Sequence, residues 1–288
     1  MVANLKPMLR GKTSGPLSWF TRIAIAVMFL VAGIGIAPAA AAPATTGINN
    51  WNCTPSAASG FPNPIVLVHG IVGSTDDWRV LAPQLAKRGA CVYAIDYGSR
   101  KIGDATVNGL APLPESQAQL VQFVTKVQNR THARKVDIVG HSEGGLLSEA
   151  VAKQLGSAHV GRVVLLAPAT HGTTMNGLTG LLNSAGLRPQ AYEATRLAGC
   201  GACGDLLTGS AYVRKHNSGP IAVKGASYHV LAISNDDAVT PGGPASFIHE
   251  PGVENLLANK AWPNHIFTHG TLPQDPIVVG WVINRLQR

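Results

Sequence analysis

Charged residues are scarce in this chain: Asp, Glu, Lys and Arg make up 13% of the 288 residues, against 45% hydrophobic residues and a mean hydropathy of +0.14. A disordered chain would show the opposite balance, and neither collagen nor coiled-coil composition fits. No internal repeat is present, and no linker-like stretch divides the chain. The length suits one large domain or two small ones, and α/β folds of about 250 residues are often single domains.

Acidic residues are missing altogether from the first 22 positions, which carry Lys6, Arg10, Lys12 and Arg22. An uncharged apolar run follows over residues 23–37, too short and too rich in Gly and Ala for a membrane span. Ala39, Ala40, Ala41 and Ala42 then offer small-residue cleavage sites. The pattern predicts a secretory signal peptide over residues 1–42, of the Sec type because no twin-Arg pair is present, and a single domain over 43–288. Its removal would bring the formal charge from +8 to about +4. With no Lys/Arg stripe beyond it, a nucleic-acid partner is not expected. No stable membrane span should remain after processing.

Cysteine is limited to Cys53, Cys91, Cys200 and Cys203, all in the part to be exported, and an even count outside the cytosol argues for disulfides. Three pairings are open. Cys200-Gly-Ala-Cys203 also has a redox or zinc spacing, but a zinc site would need a second ligand pair, so no metal is expected.

Unbroken apolar runs at Ile65–Val68, 91–95, 136–139, 163–167 and, less cleanly, 228–233 read as strands covered on both faces. Helical stretches lie between them at 78–88, 115–128 and 145–155, and a last one at Pro276–Leu286. The alternation predicts an α/β fold: a mostly parallel sheet of about six strands with helices on both faces. Residues 43–62 read as an extended arm, and 170–225 break the rhythm as a small helical insertion.

The chemistry is concentrated at Gly140-His141-Ser142-Glu143-Gly144, which follows one strand and opens a helix. This is the setting of a G-x-S-x-G nucleophile elbow, whose turn is so sharp that glycines must flank the serine. A serine hydroxyl needs a base to take its proton and a carboxylate to orient that base. On this architecture the acid and then the histidine follow the serine in the chain. Asp236 or Asp237, in the loop after 228–233, supplies the acid. His249, His265 and His269 are the candidate bases, with His269 favoured by its loop ahead of the last helix and His265 its chief rival. The backbone N–H groups of Ile71 and Glu143 are the candidate oxyanion donors. His69 reads as a residue bracing the first loop.

With these residues in hand, the chain resembles the secreted triacylglycerol lipases and esterases of actinobacteria, small proteins of the α/β-hydrolase fold. The likeness runs from about residue 49 to 286. It is carried by Pro62-Asn63-Pro64-Ile65-Val66-Leu67-Val68-His69-Gly70, by Lys135-Val136-Asp137-Ile138-Val139-Gly140-His141-Ser142, and by Thr170-His171-Gly172-Thr173-Thr174 with Gly177-Leu178. The resemblance implies Asp236 as the acid, from the Asp236-Asp237-Ala238-Val239-Thr240-Pro241 stretch, and His269 as the base, six residues before Asp275-Pro276. It also implies the pairings Cys53–Cys91 and Cys200–Cys203. Two stretches depart from it. Glu143 stands where the family usually has Gln, and a carboxylate there would lower the rate or alter the pH profile unless its side chain turns away. Residues 98–115 match only loosely.

The expected activity is carboxylic-ester hydrolysis through an acyl-enzyme on Ser142, with no cofactor, acting on lipid or small-molecule esters outside the cell or at its wall. The alternatives are acyl transfer to an envelope acceptor, on the same triad, and a non-catalytic envelope binding protein.

Overall fold

A computed structural model of the chain describes residues 47–287. The leader expected at 1–42 and the first residues of the arm lie outside them. Six strands, β1 (Ile65–Val68), β2 (Val92–Ala94), β5 (Val136–His141), β6 (Val160–Leu166), β7 (Ser227–Ala232) and β8 (Val253–Leu257), form one parallel sheet. Their order across it is β2-β1-β5-β6-β7-β8. A separate antiparallel hairpin, β3 (Arg100–Ile102) and β4 (Ala105–Val107), fills part of the loosely matching 98–115 stretch.

The parallel sheet follows from burial on both faces. Along β1, Ile65 and Leu67 point into one core while Val66 and Val68 point into the other. The first core is closed by helices Leu81–Lys87 and Pro276–Leu286, through Leu81, Leu85, Val278 and Val282. Helices Leu113–Thr131 and Glu143–Leu155 close the second, through Leu120, Val124, Leu147 and Val151. A strand with two dry faces is apolar at most positions, which is why the alternating pattern of a half-exposed strand is absent; the buried Asp137 of β5 is tolerated because Asn63 and Arg162 of β6 satisfy it.

The insertion after β6 is helical, with segments Leu178–Ser184, Arg188–Leu197, Gly201–Asp205 and Ala211–His216. The N-terminal arm runs along the outer edge of β2: Asn49 donates its backbone N–H to Val92, and its side chain takes both backbone groups of Ala94. Both disulfides are formed, Cys53–Cys91 with Cα atoms 5.6 Å apart and Cys200–Cys203 at 5.4 Å. The first pins the arm to the start of β2, and the second closes the turn into the third insertion helix. Among the described residues, no helix is long and apolar enough to cross a membrane.

Candidate active site

Ser142 sits between the end of β5 and the start of helix Glu143–Leu155, with φ 55° and ψ −122°. That conformation is costly for a side chain bearing a Cβ, by about 1–3 kcal/mol, and persists only where the surroundings enforce it. They do so here through backbone packing. A Cβ on Gly140 would strike the Gly144 carbonyl and Gly145 Cα, and one on Gly144 would strike the Val68 and His69 carbonyls. The Ser142 N–H is held by the Leu166 carbonyl at 2.9 Å.

The serine does not cap its helix: no side-chain cap bond is made from Ser142. Its Oγ lies 2.8 Å from His269 Nε2, and His269 Nδ1 lies 2.9 Å from Asp236 Oδ2. The other oxygen of Asp236 accepts the Ala238 and Val239 N–H groups at 2.9 and 2.8 Å, so the carboxylate cannot rotate away. All three side chains are buried. The structure therefore brings Ser142, His269 and Asp236 into one hydrogen-bonded line from three separate loops.

The rivals are elsewhere. Asp237 and His249 are exposed, and His265 is committed to Asp275 at 2.6 Å. Asp275 in turn caps the last helix through the Ile277 and Val278 N–H groups. His69 is buried, donates from Nδ1 to the Gly70 carbonyl and stacks on Tyr97 at 4.4 Å, bracing the loop after β1.

That loop borders the serine. A Cβ on Gly70 would lie 3.1 Å from Ser142 Cβ, so any larger residue would push on the serine. Glu143 opens its helix, where backbone N–H groups have no partner within the helix and face outward. Its side chain turns the other way, into the core, where neither buried carboxyl oxygen has a well-formed hydrogen bond among the described residues. Burial, opposed in part by the Tyr97 hydroxyl and reinforced by the Asp205 carboxylate, pushes this acid well above the usual carboxylate range. Burial thus disfavours the charged form of the acid beside Ser142. The Tyr97 hydroxyl, which donates to the His69 carbonyl, stands nearby. Burial likewise raises Asp77, on the turn after the loop, to about 6.

Residues 63–200 match the sequence model of the family described as alpha/beta hydrolase fold. Parallel strands, a serine at the sharp β5–helix turn and the acid–base line at the carboxyl ends of the strands agree with it. The chain has the α/β-hydrolase fold. Among solved structures, a lipase of Bacillus licheniformis in its mature form superposes with a TM-score of 0.56 at 18% identity, covering 78% of this chain and 92% of that one. Aspergillus fumigatus lipase B gives 0.58 at 14% identity, covering 78% and 52%. By sequence the chain is 33% identical over 135 residues to a triacylglycerol lipase of Burkholderia plantarii, which is 45% of this chain and 34% of that protein. A triacylglycerol lipase of Pseudarthrobacter phenanthrenivorans is 35% identical over 95 residues, 31% and 28% of the two chains. The matched part thus spans about a third of the length of these curated relatives.

Sequence reasoning passed over His141, because chain order puts it ahead of the serine. Its place at the end of β5 was legible; its contact with a residue 128 positions later was not.

Proposed function

We propose that the protein is a carboxylic-ester hydrolase, exported by a leader over residues 1–42 and folded as one domain over 43–288. Ser142 is its nucleophile, His269 its base and Asp236 the carboxylate that orients the base. The observation that carries this reading is the unbroken line Asp236–His269–Ser142, at 2.9 and 2.8 Å.

The mechanism follows from the geometry. Ser142 Oγ attacks the ester carbonyl carbon as its proton passes to His269 Nε2. The imidazolium is stabilised by Asp236, which keeps Nδ1 protonated and so leaves Nε2 free to accept. The Ile71 and Glu143 N–H groups receive the oxyanion, each such donor being worth about 100- to 1000-fold in rate. Collapse breaks the bond to the alcohol, which leaves with the proton from His269. Water then repeats the sequence on the acyl-serine and releases the acid.

The relatives named triacylglycerol lipase favour lipid esters. So do Leu181 and Leu197 in the insertion, exposed at 70% and 73%. The test is hydrolysis of p-nitrophenyl esters of increasing acyl length by the protein beginning at residue 43, with Ser142→Ala as control. Turnover that is lost in the control and rises with chain length is expected. Turnover unaffected by the substitution would overturn the mechanism, and its absence in the intact protein would favour a binding role. Product analysis with an added alcohol separates hydrolysis from acyl transfer.

A further inference from the structure

This inference rests on the reading of His269 as the base. His141 closes β5 next to the nucleophile, and its ring is buried. Its Nε2 lies 3.0 Å from the backbone carbonyl oxygen of His269. A carbonyl can only accept, so that nitrogen carries the proton. Nδ1 is then bare. It is buried with no hydrogen-bond partner among the described residues and faces Gly70, where a Cβ would stand 3.2 Å away. Nothing there accepts a proton from Nδ1, so the ring is fixed in one tautomer and one charge state.

The segment that carries the base alternates between buried and exposed residues, and His269 opens a short 3-10 turn over His269–Gln274. Ile266 is 85% exposed, Thr268 and Gly270 are exposed, and a Cβ on Gly270 would meet nothing. Phe267 and Leu272 anchor it on either side, but at residue 269 itself the main chain is tied to β5 by the His141 bond. The two rings also lie 4.8 Å apart, tilted by 40°.

We propose that His141 is a positioning residue for the base: a permanently neutral imidazole donates from Nε2 to the main chain of His269 and holds its ring between Asp236 and Ser142. A neutral donor is what the site needs. During turnover His269 becomes a cation, and Lys or Arg at position 141 would oppose that charge at close range in a buried setting. Burial, and then the neighbouring His269, hold the His141 imidazole well below its ordinary pKa.

The test has two parts. In the wild-type protein, long-range 1H–15N NMR of the imidazoles should show His141 protonated at Nε2 and unchanged between about pH 5 and 9, across the range where an ordinary histidine titrates. Titration of His141 in that range, or a proton on Nδ1, would overturn the proposal. The second part compares His141→Phe, which keeps a flat ring and loses the donor, with His141→Gln, which keeps a donor at similar reach. The Phe variant should lose about 10- to 100-fold in kcat with KM nearly constant, the scale of a small misplacement of a reacting group. It should also lose the low-field resonance of the His269 Nδ1 proton, and Gln should restore most of both. Unchanged kcat and resonance in Phe, or equal damage in Gln, would refute the assignment. The NMR signals do not depend on turnover, so a protein without Ser142-dependent hydrolysis would sink the ester-hydrolase reading and still report on His141.

Discussion

Asp236 meets His269 with one carboxylate oxygen, at 2.9 Å, while its other oxygen is held by two backbone N–H groups of its own loop. The acid is therefore a fixed acceptor, and it selects which imidazole nitrogen carries the proton. Asp236→Asn keeps the size but can present an amide donor to Nδ1, which reverses that selection. We expect kcat to fall by about 10,000-fold with little change in thermal stability. Steady-state kinetics and a melting curve check it, and a loss below tenfold would remove Asp236 from the mechanism.

Glu143 is a stability liability above acidic pH. Its folded-state pKa is raised by burial, so above the unfolded value of about 4.3 the native state holds a proton that the unfolded chain has released. Stability from this group is complete below that value and declines as pH rises towards the folded pKa. Glu143→Gln should match the wild type near pH 4 and melt progressively higher than it as pH rises. Melting curves that stay parallel across pH would show that the buried carboxyl is paired.

A second buried pair ties the insertion to the helix behind the nucleophile. Glu149 Oε2 lies 2.8 Å from His216 Nε2, its Oε1 accepts the Thr170 hydroxyl at 2.7 Å, and Lys153 donates to the His216 carbonyl. Removing one partner strands the other in a dry site. His216→Ala should cost about 3–5 kcal/mol in chemical denaturation, and a combined Glu149→Met, His216→Leu variant much less. Equal losses in the two would mean that the pair adds net stability.

The two disulfides should differ in weight. Cys53–Cys91 spans 38 residues and Cys200–Cys203 only three. The chain-entropy relation gives about 4 kcal/mol for the first and about 2 kcal/mol for the second. Urea titrations of Cys53→Ser with Cys91→Ser, and of Cys200→Ser with Cys203→Ser, should rank in that order. The reverse order would show that the short bridge supports the insertion by more than loop closure.

The sequence by itself determined the α/β class and the position of the elbow, because both are local. Runs such as Ile65–Val68 announce two buried faces, and the glycines around Ser142 answer a steric demand set within a few residues. Less was legible at the margins. β8 (Val253–Leu257) is a half-buried edge strand whose Val-Glu-Asn-Leu-Leu shows neither a continuous apolar run nor alternation, and the β3–β4 hairpin is short, mixed in composition and mostly exposed. Only the tertiary structure decided which candidates meet. It set Asp236 inward and Asp237 outward, gave His265 to Asp275 and brought His269 to Ser142. It also turned the Glu143 carboxyl into the core and set His141 beneath the base. Those outcomes depend on the direction in which loops far apart in the chain present their side chains, and that is fixed by the packing of the whole sheet rather than by any neighbouring residue.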